Sequence, residues 1–501
     1  MALDVQRPDL TIAIVGCGVM GQGIAQIAAQ AGCRVLLFDA RPGAADAAKT
    51  AICGVLAKLV ERGKLKQDQA DTARDRLMPV AELTELIGAH VVIEAIVEAL
   101  DAKRALVGEL EIIVGQDCLI ATNTSSLSVT AIAAAAKHPE RVAGFHFFNP
   151  VPLMKVVEVI EGALTAPWVA PALTALAQRI GHRPVRAKDT PGFLVNHAGR
   201  GYGTEALRIL GEGVADVATI VAILKGACGF RMGPFELLDL TGLDVSHPVM
   251  ESIYHQFYEE PRFRPSPVTA QRLAAGLLGR KSKRGFYDYT TETASPAASV
   301  PGPLPDSVWI ADGLNHDAIA RIVAAAGVPT ASQASAALCI LPLLGEDAST
   351  ATRRLGLDPK RCVGIDALFG LDTHRTLVAT PATDAASRAA ALALFTADGK
   401  AASLIADSPG AVAQRVLATI VNIASDIAQQ RIATPADIDA AVTLGLGYPQ
   451  GPLAWGDAIG AGMILQILET LLVITGDPRY RASLWLRRRA QLGLSLTHPE
   501  S

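Results

Sequence analysis

The stretch Leu10 to Arg41, LTIAIVGCGVMGQGIAQIAAQAGCRVLLFDAR, constrains the fold more than any other part of the chain. Residues 11–15 read as a buried strand, Gly16-Cys17-Gly18-Val19-Met20-Gly21 follows, and an Ala-rich helical run continues to Gly32. A second apolar strand, 35–38, ends at Asp39. G-x-G-x-x-G alone says little. A strand before it, a helix after it and an acid closing the next strand make it a dinucleotide-binding βαβ unit. Gly16 permits the tight turn, Gly18 lets backbone amides approach a pyrophosphate, and Gly21 lets helix pack on strand. The first helical turn, with Val19 and Met20, offers partial positive charge to the phosphates. Asp39 accepts hydrogen bonds from a ribose 2′-hydroxyl and repels a 2′-phosphate, which favours NAD over NADP.

The 501 residues suit about three domains, and the apolar half of the composition, largely Ala, suits a helix-rich soluble enzyme. The net charge of -4 gives no basis for nucleic-acid binding. The start, MALDVQRPDL, lacks an apolar core of the signal-peptide kind. The apolar run 458–475 reads as one helix, and Gln466 and Glu469 within it argue for protein core, not membrane. Seven cysteines without a C-x-x-C spacing suggest free thiols in a reducing cytoplasm and no metal site. Cys17 reads as a small buried filler of the glycine loop.

A helical run over 43–64 ends in Lys58, Arg62, Lys64 and, just beyond, Lys66. These cations serve either an anionic substrate tail, such as a nucleotide phosphate, or a solvated face. Strands are expected at 91–94 and 119–121, the latter leading into Thr122-Asn123-Thr124-Ser125-Ser126. Polar residues there sit where α/β sheets bind ligands, and Ser125 or Ser126 also suits a helix N-cap. Next come RVAGFHFFNP (141–150) and a strand over 155–160 carrying Glu158. If the two strands pair antiparallel about the VPLM loop, His146 and Glu158, equidistant from residue 152, face each other. A carboxylate on one imidazole nitrogen fixes the tautomer and leaves the other nitrogen as a base. From Asp189-Thr190-Pro191-Gly192-Phe193-Leu194-Val195-Asn196 onward the chain reads as helical. Asp189 or Thr190 caps a helix reaching Leu210, and further helices follow over 217–226, 234–240 and 245–258.

This helical region recurs at a constant offset of 218: DTPGFLVN at 189 answers DSPGAVAQ at 407, and MGPFELLDLTG at 232 answers QGPLAWGDAIG at 450. The segment between, about 306–406, contains RCVGIDALF at 361, which matches RVAGFHFFN at 141. Asp366 stands there in place of His146, no glutamate answers Glu158, the glycine fingerprint is missing, and Gln414 replaces Asn196. We read it as a shortened, inactive α/β copy, which leaves one active site in the chain.

In order, GCGVMGQGIAQ, EAIVEALDAK, NTSSL, HFFNPVPLMKVVEV, DTPGFLVN and MGPFELLDLTGLD resemble the 3-hydroxyacyl-CoA dehydrogenase family, in its longer bacterial form with a duplicated C-terminal domain. The resemblance covers 8–289 and again 407 to about 485. It implies NAD-linked oxidation of (S)-3-hydroxyacyl-CoA to 3-ketoacyl-CoA, the chemistry of fatty-acid β-oxidation. His146 would be the general base and Glu158 its orienting partner. Ser125 and Asn196 would contact the substrate, and Glu98, Lys103, Asn123, Ser125 and Asn149 would line the nicotinamide half of the cofactor. Lys58 and Lys64 would meet coenzyme A. Long members act on 3-hydroxyadipyl-CoA in phenylacetate-type catabolism or on 3-hydroxybutyryl-CoA. An ω-carboxylate would call for an arginine, for which Arg200 is the candidate, a surface cation being the alternative. Two departures bear on the acyl pocket: the glycine-rich HAGRGYGTEA after Asn196, and Lys283-Arg284 before GFYDY.

The expected fold is an α/β Rossmann-type NAD domain (1–187), an all-α domain (188–289), a linker (290–305), a degenerate α/β segment (306–406) and a second all-α domain (407–501). The expected partner is an acyl-CoA, with no nucleic acid and no membrane; a homo-oligomer is left open, and the two helical domains could pair within one chain. Competing readings are a dehydrogenase of free 3-hydroxy acids, and a non-catalytic binding or structural protein on the same fold.

Overall fold

The computed structural model describes residues 3–290 and 302–500, so most of the expected linker lies outside the described residues. The chain forms two compact units: Met1–His197 with Gln430–Leu446, and Ala198–Gln429 with Gly447–Ser501.

The first unit is built on an eight-stranded sheet. Its strands are β1 (Thr11–Val15), β2 (Arg34–Phe38), β3 (Leu77–Pro79), β4 (Val91–Glu94), β5 (Leu119–Thr122), β6 (Val142–Phe147), β7 (Val156–Glu161) and β8 (Arg183–Lys188), in the order β3-β2-β1-β4-β5-β6-β7-β8. Every residue of β1 is buried, because alternate side chains feed two cores: Ile12 and Ile14 pack on one face, Ala13 and Val15 on the other. Pairing is parallel from β3 to β6 and antiparallel between β6 and β7, where His146 lies opposite Glu158, the register expected from the sequence. The second unit holds a smaller sheet of β9 (Val308–Ile310), β10 (Leu338–Leu343), β11 (Cys362–Asp366), β12 (His374–Ala379) and β13 (Ala401–Ala406), in the order β13-β12-β11-β10-β9. Its single antiparallel pair, β11 with β12, marks it as a repeat of β4 to β8 alone. The half that carries the glycine fingerprint and β1 to β3 has no counterpart among the described residues.

The duplicated helices meet inside the second unit. The Arg200–Gly211 helix packs on Ala413–Gln429, its counterpart in the other copy. A Cβ at Gly201 would lie 3.1 Å from Ile423 Cδ1 and 3.2 Å from Thr419 Cγ2, so at this position the glycine-rich sequence serves a close helix crossing. Glu205, fully buried, accepts from Arg415 Nε (2.5 Å), the Tyr480 hydroxyl (2.6 Å) and Arg479 (3.2 Å), while Arg415 also reaches Glu212 (2.7 Å).

Two helix boundaries differ from the sequence reading. The apolar run 458–475 is not one helix: Pro452–Ile459 and Ala461–Thr475 meet at 94° about Gly460, whose φ of 104° is open to glycine. No single helix among the described residues is long and apolar enough to cross a membrane. Ser125 and Ser126 cap no helix; Ser128 does, accepting from Ala131 N for the helix Val129–Ala133.

In the second sheet Asp366 takes His146's place and Thr376 that of Glu158. Asp366 Oδ1 accepts from Gln414 Nε2 (2.7 Å) and from the N–H groups of Leu368 and Phe369, while Oδ2 is buried without a hydrogen-bond partner. Burial pushes this carboxyl up to about 6. A carboxyl that binds its proton more tightly folded than unfolded stabilises the fold below its unfolded pKa, and that contribution is lost as pH rises through its folded value. Asp366→Asn is therefore expected to stabilise the fold at pH 8 by on the order of 1–3 kcal/mol, raising its melting temperature, and to change little at pH 4. Thermal melts at both pH values check this.

Candidate active site

The site is assembled at the carboxyl ends of β1, β4, β5 and β6. Gly16, with φ of 100°, lies so close to β4's exit that a Cβ would fall 2.6 Å from Ala95 O, and a Cβ on Gly21 would strike Gly16 O. At Gly18 nothing lies within 4 Å, and the Val19–Gln30 helix begins there with no side-chain cap, so its first N–H groups are left for an anion. Val19 is 70% exposed. Gly16, Gly18, Phe38, Asp39, Arg41 and Val97 are among the residues lining a cavity of about 670 Å³. Asp39 accepts from the Cys17 N–H (2.8 Å) and from Arg41, whose guanidinium lowers the carboxyl to about 2. It is thus ionised and aimed by the backbone it must work beside. Cys17 is buried with its thiol pushed up to about 12 by desolvation, an inert filler. Open glycine backbone, an uncapped helix N-terminus and a fixed carboxylate fit a dinucleotide with a free ribose.

The next strands supply a carboxylate-lysine cluster. Lys103, fully buried, bonds Glu94 at 2.7 Å and Glu98 at 3.3 Å. Glu94, which sequence reasoning passed over as a strand residue, also accepts from Thr122 Oγ1 and Ile96 N–H, and is 0% exposed. The sequence signal for it was an acid closing an apolar strand, as at Asp39. Glu98 Oε1 accepts from Thr124 Oγ1 (2.7 Å) and from the N–H groups of Ser125 (2.8 Å) and Ser126 (3.0 Å). Burial opposes ionisation of Glu98, but Lys103 and these donors hold its carboxyl below the usual range. Lys103 is thereby committed to carboxylates, and Glu98 fixes the serine loop. Asn123 Oδ1 accepts from Phe147 N–H at 2.8 Å, tying β5 to the end of β6, and Asn149 is exposed just beyond it.

His146 Nδ1 lies 2.5 Å from Glu158 Oε2. A carboxylate only accepts, so the proton sits on Nδ1 and Nε2 keeps its lone pair. The ring stands between Phe148 (4.4 Å) and Phe193 (5.9 Å) and is 5% exposed. Glu158, 0% exposed, turns its other oxygen to the N–H groups of Leu194 (2.8 Å) and Val195 (2.7 Å), which begin the Val195–Ala198 helix. The expected cap from Asp189 is not made. That carboxylate reaches the Val129–Ala133 helix instead, accepting from Val129 and Thr130 N–H and from Ser128. Asn196, half-buried, follows in the same short helix. Lys58, Lys64 and Lys66 are exposed around the C-terminal end of the Ala44–Glu61 helix. Arg200 belongs to the second unit, where burial beside Tyr448 lowers it to about 10.

Comparison with known proteins gives the family. The family model for "3-hydroxyacyl-CoA dehydrogenase, NAD binding domain" matches residues 11–190. That for "3-hydroxyacyl-CoA dehydrogenase, C-terminal domain" matches twice, at 192–289 and 410–497, the two helical copies. The chain is similar to the 3-hydroxyadipyl-CoA dehydrogenase of Escherichia coli K12, with 39% identity over 98% of this chain and 99% of that protein. It is also similar to a probable 3-hydroxybutyryl-CoA dehydrogenase of Bacillus subtilis, with 40% identity over 56% of this chain and 98% of the relative. The crystal structure of a 3-hydroxybutyryl-CoA dehydrogenase from E. coli K12 superimposes with a TM-score of 0.85 at 38% identity, covering 97% of this chain and 98% of that one. The chain belongs to the 3-hydroxyacyl-CoA dehydrogenase family, whose members use NAD.

Proposed function

We propose that this enzyme oxidises the ω-carboxylated substrate (S)-3-hydroxyadipyl-CoA to its 3-keto product, with His146 as base and Glu158 as its partner. The observation that carries the reading is the 2.5 Å pair of a buried imidazole and a buried carboxylate at the end of β6. His146 Nε2 takes the substrate's 3-hydroxyl proton as the C3–O bond becomes a carbonyl. NAD, held at the Gly16–Gly21 turn and Asp39, would supply the acceptor for the C3 hydride. The imidazolium is stabilised by Glu158, whose charge is already oriented by the Leu194 and Val195 N–H groups. Ser125 and Asn196 orient the β-hydroxyl and thioester, and the cations from Lys58 to Lys64 take the coenzyme A phosphates. The cofactor's adenosine ribose is assigned to Asp39 and its pyrophosphate to the Gly16–Gly21 turn. Seven free cysteines support a reducing compartment, the cytoplasm.

The full-length E. coli relative named for 3-hydroxyadipyl-CoA supports the ω-carboxylate, and Arg200 is the cation we assign to it. The second reading, 3-hydroxybutyryl-CoA, rests on the full-length structural relative from E. coli, which is named for that substrate. Initial rates of NADH formation on both substrates separate them. The adipyl reading expects a higher kcat/KM for the adipyl thioester and a selective loss of it in Arg200→Met. A preference for butyryl that Arg200→Met leaves unchanged would favour the second reading.

A further inference from the structure

The duplication distributes its helices unevenly. One helix of each helical copy, Val217–Cys228 in the first and Pro435–Leu446 in the second, recurs at the 218-residue offset. The Val217–Cys228 helix, from the first copy, packs on β12 of the degenerate sheet. The Pro435–Leu446 helix, from the second copy, packs on β7 and β8 of the catalytic sheet. Each α/β half is thus backed by a helix encoded with the other half. The helix on β7 is anchored at its start, where Lys188 N–H donates to Ile432 O (3.0 Å) and Arg183 lies 3.6 Å from Asp437.

Its far end reaches the base's support. Gly445 faces Val195 and Val156, both fully buried: a Cβ there would lie 3.0 and 3.2 Å from the two Val195 γ-carbons and 3.5 Å from Val156 Cγ1. Val195 is one of the two residues whose N–H groups hold Glu158 Oε1, and Val156 lies two positions before Glu158 on β7. A β-branched side chain in a closed core has one rotamer to offer, so pressure on its γ-carbons moves its backbone.

We propose that Gly445 is a positioning residue for the reaction. The helix it closes, supplied by the copy that lost its own catalytic set, fixes Val195 and through it the Glu158 carboxylate. The duplicated half is then retained as a strut for the living site. This rests on the His146–Glu158 assignment above.

The test uses the full-length enzyme with Gly445→Ala and Gly445→Val. Alanine improves helix propensity, so Gly445→Ala is expected to melt no lower than wild type. Displacing Val195 by a few tenths of an ångström is expected to lower kcat about tenfold in Gly445→Ala and up to about 10²-fold in Gly445→Val. KM for the acyl-CoA and NADH affinity by fluorescence titration should stay unchanged. Val195→Ala removes both γ-carbons, so Gly445→Ala/Val195→Ala should regain most of the kcat lost in Gly445→Ala. Gly462→Ala, at a helical glycine with nothing within 4 Å, is the matched control and should behave as wild type. Should Gly445→Val fail to fold, Gly445→Ala and its rescue decide the matter. Unchanged kcat in Gly445→Ala, or a loss that Val195→Ala does not relieve, would overturn the proposal. Those outcomes leave the base assignment standing if Glu158→Gln is still inactive; an active Glu158→Gln would remove the assignment itself.

Discussion

Glu158→Gln is expected to cut kcat for 3-hydroxyacyl-CoA oxidation by about 10²–10⁴-fold while NADH binding is preserved. The side chain keeps its size, so Leu194 and Val195 N–H groups still find an amide oxygen where they now find Oε1. What changes is the atom facing His146. An amide nitrogen there donates, forcing the imidazole proton onto Nε2, the nitrogen that must be free to act as a base. The imidazolium formed during oxidation also loses its counter-charge in a pocket where His146 is 5% exposed and Glu158 0%. Steady-state rates together with fluorescence titration of NADH check both halves of the expectation.

Glu205→Ala is expected to be the most damaging single change to the fold outside the site, costing about 3–5 kcal/mol. The glutamate is 0% exposed and is shared by Arg415, Arg479 and the Tyr480 hydroxyl. Its removal strands two guanidiniums in the core, Arg415 at 1% and Arg479 at 4% exposure. Glu212 and Asp477 remain to them, which argues for the lower end of the range. Replacing Glu205 and Arg415 together, by Gln and Met, should cost much less, because the penalty lies in the uncompensated charge and not in the absence of the pair. Urea unfolding followed by tryptophan fluorescence, to which Trp455 and Trp485 contribute, distinguishes the two.

The glycine turn and the His146–Glu158 register were legible because both follow from local spacing: a fingerprint bounded by strands, and two strands folded symmetrically about one loop. Polar partners distant along the chain were not. Asp189 looks like a local cap, yet its carboxylate serves a helix some sixty residues earlier, while the Leu194 and Val195 N–H groups go to Glu158. Ser125 and Ser126 look like caps as well, but Glu98 takes their N–H groups from across the cleft end of the sheet. Capping rules see a few residues to either side, while a buried acid such as Glu94 or Glu158 is satisfied by whichever donors tertiary packing brings. The break at Gly460 was written in the sequence as a glycine inside an apolar run, a signal that periodicity alone overrides. The degenerate segment was readable as a copy, but that it repeats only β4 to β8 required the strand order.

The central claim is that one imidazole moves the proton. It is tested most directly by mixing His146→Gln with saturating NAD and (S)-3-hydroxyacyl-CoA and following NADH absorbance in a single turnover, with NADH affinity measured on the same preparation. The account predicts a rate lower by about 10²–10⁴-fold at unchanged affinity. A rate within about threefold of wild type, a barrier change of no more than about 0.7 kcal/mol, would contradict it.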